Sequence, residues 1–523
     1  MASPAALSHV QLDDRTGAEL DAGAAVQVKV TIDPERDVEI VFLLGQVPTT
    51  ADVRALVQRY RQAGQVQSAF ERTRELWENR LSAVQVKTPV LAIDFMLNGW
   101  LLYQTLSCRI WARSAFYQSG GAFGFRDQLQ DSLALVYSRP QLTRDQILLS
   151  AARQFREGDV QHWWHADSGV GVRTRCSDDL VWLVFAASQY VAVTGDAAIL
   201  DEEVAFLDGA VLEPSEQERV FVPPVSSATA PLWKHCAMAL DHAAKLGSHG
   251  LPLIGSGDWN DGMNDVGKDG RGESTWLAWF LGTVHQMFLP YLETRDPAHA
   301  FVLRDRSLHL AKAMEDSAWD GEWYLRGFFD DGTPLGSRAS SEAQIDSLPQ
   351  SWAVISGMAD PDRSRRALAS AQRLVLEKEK IVLLFTPPFD HSEPHPGYIM
   401  GYPPGVRENG GQYTHGSLWL AMAWARARDG NSAVKLLQLM NPVEHSRTPE
   451  DAQKYRGEPY VVAADVSSAP GRVGRSGWTW YTGSAAWMYR VWIEEVLGLR
   501  IHGNQLSVDP VVSDAWQIGR AHV

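Results

Sequence analysis

The sequence predicts a mainly α protein, a double-layered helical barrel with its site at one rim and pieces of β structure at both ends. Three observations lead there. Segments with apolar residues at helical spacing follow one another from about residue 91 to 497. The gaps between them hold loops rich in Gly, Pro, Asp and aromatic residues, such as YQSGGAFGFRD and GSGDWNDGMN. No fixed short period recurs, which excludes the usual solenoids. About a dozen helices with unusual loops in alternate gaps form a rigid frame that holds functional loops.

In chain order, AVQVKVTI (25–32) alternates apolar and polar residues, and VEIVFLLGQ (38–46) reads as a mostly buried strand. Two strands do not make a stable sheet. Residues 1–48 therefore read as the end of an N-terminal β-sandwich whose earlier part is missing. Residues 49–90 form a helical linker, charged at helical spacing over 50–82 and broken at Thr88-Pro89. The barrel domain occupies 91–497, with helices expected near 92–114, 143–157, 178–195, 229–246, 273–292, 299–315, 344–357, 362–376, 416–429 and 483–496. Residues 498–523 begin a C-terminal β domain through LRIHGNQLSVDPV (499–511), with QIGRAHV (517–523) set apart as an artefactual tail.

Composition narrows the function. The 523 residues carry a net charge of −15, which argues against nucleic acid or an anionic membrane as partner. Twenty tryptophans, 14 tyrosines and 17 phenylalanines suit either a cleft lined with flat faces, as sugar sites are, or a Trp-rich helical core. Cys108, Cys176 and Cys236 are odd in number and in no metal-like spacing, as expected of buried free thiols in a reducing compartment. The start has neither a basic nor an apolar signal region, and no run is long enough to cross a membrane. The expected location is cytoplasmic, or the cytoplasmic face of a membrane protein.

The stretch GSGDWNDGMN (255–264) carries the chemistry. Its glycines permit a tight loop. An acid beside an indole there suits sugar cleavage, because the ring covers the apolar face of a pyranose and an apolar wall favours the protonated acid. A solvated Asx turn is the plainer alternative. Elsewhere, His162 and His165 in HWWH sit three apart, as zinc ligands do on a helix. With no third ligand spaced nearby, they read as sugar-binding or core residues, and no metal is expected. His391 and His395 lie in a Pro-rich loop facing solvent or an acceptor. Glu408 in RENGG is open to three roles: touching sugar, positioning a loop, or activating water as a base.

FGFRDQLQD (123–131), SDDLVWL (177–183), GDWNDGMN (257–264), PQSWAVISG (349–357), PPGVRENGGQYTHG (403–416) and WYTGSAAWMYR (480–490) occur in this order. Together they resemble glycoside hydrolase family 94, over about residues 10 to 510. Within that family the likeness is greatest to the C-terminal region of cyclic β-1,2-glucan synthases and to 1,2-β-oligoglucan phosphorylases, through GGAFGFRDQLQD, GDVQHWWH, LFTPPFD and EPYVVAADV. The resemblance implies an (α/α)6 barrel and inverting phosphorolysis, with inorganic phosphate as co-substrate and no cofactor. It implies that Asp261 is the general acid and that Trp259, Arg126 and Asp127 hold the sugar in subsite −1. It also implies that His415, Thr482 and Gly483 bind phosphate. Asp258 and Asp265 read as loop-forming acids.

Two positions depart from the family pattern. Cellobiose-type members have an arginine where this chain has Gly121, and a glutamine near where it reads AAD (463–465). Arg407, Arg472 and Arg475 are candidates to supply the missing charge. The expected substrates are a β-glucan oligosaccharide, with a preference for β-1,2 linkages that follows the synthase branch, and phosphate. A homodimer or a larger membrane synthase is the expected assembly. Two alternatives stay open: an inverting hydrolase using Glu408, and a glucan-holding region without activity.

Overall fold

The computed structural model describes residues 9–12, 25–116, 118–213 and 215–516. The chain divides into two units, Met1–Leu76 and Trp77–Val523. In the first, α1 (Thr50–Tyr60) is capped by Thr49, whose side chain accepts from the N–H of Asp52, and α2 (Gln65–Leu81) begins there and ends in the second. Neither helix buries a residue.

The strands expected at 25–32 and 38–46 are not formed. Residues 25–46 are exposed, and their one turn is closed by the Arg36 N–H donating to Asp33 O at 3.2 Å. Alternation supplies a face but not a partner, and a strand exists only where its N–H and C=O groups find a ladder. The remainder of the expected β-sandwich, at 1–8 and 13–24, and the tail 517–523 lie outside the described residues.

The second unit is mainly helical. Residues 91–111 run as α3 (Leu91–Phe95), a π-turn, α4 (Leu101–Gln104) and a second π-turn. Then come α5 (Phe125–Leu133), α6 (Pro140–Ala151), α7 (Asp179–Thr194), α8 (Leu232–Ala243), α9 (Thr275–Glu293) and α10 (Pro297–Ser317). The last six are α11 (Ser347–Ser356), α12 (Pro361–Ser370), α13 (Thr414–Arg426), α14 (Gly430–Leu439), α15 (Pro449–Tyr455) and α16 (Ser484–Arg490), which continues as a π-helix to Val496. Caps mark these boundaries. Ser274, Asp296, Asp346 and Asp429 accept N–H bonds at helix starts, and Gly195 and Gly357 end helices at φ 74° and 65°.

Six of these helices pack in succession: α5 on α7, α7 on α9, α9 on α11, α11 on α13, α13 on α16, and α16 back on α5. A second set flanks them, with α6 against α5 and α7, α8 against α7 and α9, α10 on α9, α12 on α11, α14 on α13, and the run 91–111 against α16 and α5. The inner helices are covered by neighbours on nearly every side; α7 is apolar as well and buries residues from Asp179 to Val193 on all faces. Trp182, Trp276, Trp352, Trp419 and Trp487 are almost fully buried and meet edge-to-face or stacked. Most of the tryptophan excess is therefore core rather than cleft.

Two of the sequence boundaries shift. α5 begins within a stretch read as loop, because its Arg, Gln and Asp side chains hide the apolar row Phe125, Leu129 and Leu133; hydrogen bonds engage most of those polar groups, and Asp131 Oδ1 has none among the described residues. The helix expected over 143–157 ends at Ala151, and Gln154 and Phe155 form isolated bridges instead. Seven small antiparallel sheets decorate the described residues. The largest pairs Phe123–Gly124, Gln161–Trp164, Gly171–Thr174 and Glu218–Phe221 in that order, and Leu499–His502 with Gln505–Val508 forms a hairpin. Among the described residues, no helix is long and apolar enough to cross a membrane.

Candidate active site

The first turns of α5 and α13, the residues just before α16, the segment 162–165 and the loops holding Trp259, Asp261 and Glu408 line a cavity of about 460 Å³. All eight residues expected at the site line it: Arg126, Asp127, Trp259, Asp261, Glu408, His415, Thr482 and Gly483. Arg407 lines it too, whereas Arg472 and Arg475 do not.

The DWND loop is shaped by its glycines. Gly255 and Gly257 sit at φ 61° and 129°, and a Cβ on Gly255 would lie 2.0 Å from Arg175 O, so no other residue fits there. Asp258 is fully buried. It accepts from both Nη atoms of Arg326 (2.6 and 2.7 Å), from Ser274 Oγ (2.6 Å) and from Asn260 N–H (3.1 Å). Burial works to raise its pKa, but these partners hold it below the ordinary carboxylate range. It is a loop-forming acid. Asp265 instead faces outward beside His395, 3.2 Å away.

Asp261 opens a short 3-10 turn and its side chain is 41% exposed, unlike Asp258. Its Oδ1 lies 2.5 Å from Arg126 Nη2. Arg126 itself is buried and directs every donor at protein. Nη1 reaches Asp178 Oδ1 (2.5 Å) and Asp258 O (2.8 Å), Nη2 also reaches Trp259 O (3.2 Å), and Nε lies 3.6 Å from Asp179. A guanidinium so engaged fixes the loop more than it grips a ligand. Asp127, its neighbour, is half-open to the cavity. Burial acts to raise its pKa, and Arg109 and Arg126 together bring it below the usual range.

Arg109 has no motif to announce it and was not expected here. From the π-turn 105–111 it donates to Asp127 (2.9 Å) and Asp131 (2.6 Å), one helical turn apart on α5, and lies 4.0 Å over the Tyr481 ring. Only the four-residue spacing of the two acids in FRDQLQD hints at it. Burial pushes Asp131 up to about 7 despite Arg109. The cation thus placed stands against the absence of an arginine at Gly121.

Opposite the DWND loop, His415 sits in the first turn of α13, and burial pushes its pKa down to about 3, so the imidazole is neutral at pH 7. Its Nε2 is buried and makes no hydrogen bond among the described residues. Gly483 lies against it; a Cβ there would be 3.4 Å from His415 Nδ1 and 3.5 Å from Asp131 Oδ1. Thr482 Oγ1 pairs with Ser484 Oγ at 2.9 Å and accepts the Ser484 N–H at 3.2 Å. The two sides meet through Trp259, whose ring centroid is 5.3 Å from that of His415 and 5.4 Å from that of Tyr413. Glu408 is held by Arg407 through Nε (3.1 Å) and Nη2 (3.4 Å), and Arg407 covers the Tyr402 and Trp478 rings.

His162, Cys176 and Asp179 each offer a ligand atom within 4.8 Å of the others. Arg126 lies 3.6 Å from Cys176 Sγ and 3.6 Å from Asp179, so a guanidinium already supplies the positive charge, and this donor set does not suit a metal ion. HWWH is not helical. Its first three residues lie in the strand Gln161–Trp164 and His165 follows it, and His162, Trp163 and His165 all reach the cavity.

Comparison with known proteins follows the same boundaries. The description "Glycosyl hydrolase 94 superfamily, catalytic domain" matches residues 76–498, and "Glycosyl hydrolase 94, supersandwich domain" matches residues 1–63. The chain is 46% identical over 519 residues to the cyclic beta-(1,2)-glucan synthase NdvB of Rhizobium meliloti, covering 99% of this chain and 18% of that protein. It is 28% identical to solabiose phosphorylase of Paenibacillus borealis, over 93% of this chain and 60% of the relative. With 1,2-beta-oligoglucan phosphorylase of Listeria innocua it shares 21% identity, over 77% and 39%. The chain thus spans less than two thirds of each of these relatives. A GH78 family rhamnosidase of Bacillus sp. GL1 shares the fold, with a TM-score of 0.50 and 13% identity, over 79% of this chain and 36% of that one.

Proposed function

The chain belongs to the glycosyl hydrolase 94 superfamily, and from that premise we propose that it cleaves β-glucosidic linkages with inorganic phosphate, releasing α-glucose 1-phosphate. The inner and outer helices are then the two layers of an (α/α)6 barrel, the catalytic domain over 91–497. The substrate class is β-1,2-glucan oligosaccharides, a choice supported by likeness to the glucan synthase and the oligoglucan phosphorylase.

One observation carries the reading. A half-exposed carboxyl, Asp261, and a cradle with a neutral imidazole, His415, face a single cavity and are linked by the Trp259 ring. Asp261 gives a proton to the departing glycosidic oxygen, and phosphate attacks the anomeric carbon from the other face, inverting it. A buried imidazole without charge donates an N–H to phosphate oxygen and does not repel Arg109 and Arg126 nearby. The backbone of Gly483 and the Thr482 hydroxyl complete the cradle. Trp259 and Asp127 hold the glucose, and Arg126 keeps Asp261 aimed. Phosphate is the co-substrate, and the reaction calls for no metal or organic cofactor.

A hydrolase on this scaffold would need Glu408 to take a proton from water. Arg407 engages both oxygens of that carboxylate, so water would compete with a guanidinium. Incubating the protein with β-1,2-oligoglucan, with and without phosphate, tests the proposal. Glucose 1-phosphate formed only with phosphate is the expected result. Free glucose formed without it favours the hydrolase, and binding without turnover favours a glucan-holding region.

A further inference from the structure

We propose that His162 is a positioning residue that relays the proton to Asp261, in a chain running Asp179–His162–Asp261. This rests on the reading of Asp261 as the proton donor. The chain is visible in the geometry. Asp179, the first residue of α7, is buried and its Oδ2 lies 2.7 Å from His162 Nδ1. That contact fixes the ring so that Nε2 faces Asp261 Oδ2, 3.8 Å away. The gap is longer than a hydrogen bond, and catalytic contacts of this kind tighten in the Michaelis complex.

The two oxygens of Asp261 are thereby told apart. Oδ1 faces the Arg126 guanidinium at 2.5 Å and cannot carry a proton there. The transferable proton sits on Oδ2, the oxygen that faces His162. The charged and titratable groups around the imidazole are Asp179 from α7, Arg126 and Asp127 from α5, Asp261 from the loop before α9, and Cys176, whose thiol burial keeps protonated. Burial alone would lower the histidine; Asp179 raises it first, and Asp261 adds to this as a carboxylate, bringing it to about 9, so an imidazolium faces the carboxylate that proton donation leaves behind at neutral pH.

The protons balance. Asp261 gives its proton to the glycosidic oxygen as that bond to the anomeric carbon breaks and a phosphate oxygen bonds to the carbon. The carboxylate left behind takes the Nε2 proton of His162. The glucosyl hydrogen phosphate then releases its remaining proton to solvent, and the imidazole recovers one from solvent, so none is gained or lost.

The test compares two leaving groups in His162→Gln. A β-1,2-oligoglucan leaves as an alkoxide and needs the proton; 2,4-dinitrophenyl β-glucoside leaves as a stable phenolate and does not. The expected result is a drop in kcat of about 10- to 100-fold on the oligoglucan, with little change in KM and a change of at most about threefold on the dinitrophenyl substrate. The wild-type rate on the oligoglucan should fall as pH rises through about 9, and the variant should lack that limb. Equal losses on both substrates, or none on either, overturn the relay. Asp261→Asn assayed alongside reports on the reading beneath it: if that variant keeps its oligoglucan activity, Asp261 is not the donor and the relay falls with it. The leaving-group ratio holds for phosphate or water as nucleophile, so a failure of phosphorolysis shows separately, as free glucose formed by the wild type without phosphate.

Discussion

Arg126 Nη2 lies 2.5 Å from Asp261 Oδ1, so the first turn of α5 holds the carboxyl on the loop before α9. The same guanidinium bonds the carbonyls of Asp258 and Trp259, which holds the whole loop against α5. Pre-organisation of this kind matters because a misplacement of about 1 Å in a reacting group costs on the order of 100-fold in rate.

Arg126→Lys keeps the charge and loses the fork. It should lower kcat by about 100-fold and leave the KM for oligoglucan within a few-fold. Steady-state kinetics checks this; a large rise in KM with kcat unchanged would assign Arg126 to sugar binding instead.

Asp258 and Asp261 should separate cleanly on thermal unfolding. Removing the partner of a buried ion pair costs about 3–5 kcal/mol, so Arg326→Met should destabilise the protein by that order, and Asp258→Asn should also lower Tm. Asp261→Asn, at a half-exposed side chain, should stay within about 1 kcal/mol of wild type while losing about 100-fold or more in kcat.

Gly483→Ala tests the anion cradle. Gly483 has φ −66°, an ordinary helical value, and an added methyl meets nothing closer than 3.4 Å, so the variant should fold normally. The methyl fills the space beside His415, and the KM for phosphate should rise by about tenfold or more, since one good contact is worth roughly 1.4 kcal/mol or more. An unchanged phosphate KM would place the anion elsewhere.

His415 predicts an acid instability. Its folded pKa is depressed to about 3, so its contribution to stability is present above the unfolded value of about 6.5 and is lost as pH falls towards 3. Between pH 7 and pH 5 this group should account for about 2 kcal/mol of lost stability. Denaturant unfolding at both pH values should show a smaller loss in His415→Gln than in wild type.

Much of the site was legible through the ordered set of motifs that resembles family 94, each a weak signal alone, lying in short loops whose glycines and acids break the helical period. GDWNDG, FGFRD and WYTG stand out against amphipathic surroundings, and the cavity collects all three. Arg109 was hidden because one arginine in an apolar helical run reads as surface, and only the fold reveals two buried acids facing it. α5 was hidden for the related reason that a buried polar helix lacks the apolar stripe that marks helices in sequence. No strand forms at 25–32 or 38–46, although residues 1–63 match the supersandwich domain description; an apolar pattern reports which face a strand would bury and not whether its partner is present.

The most direct test is real-time proton and phosphorus NMR of β-1,2-oligoglucan with phosphate. The account predicts that α-configured glucose 1-phosphate is the first product and that it vanishes in Asp261→Asn. A β-configured phosphate ester, or free glucose accumulating at the same rate with phosphate left out, would contradict it.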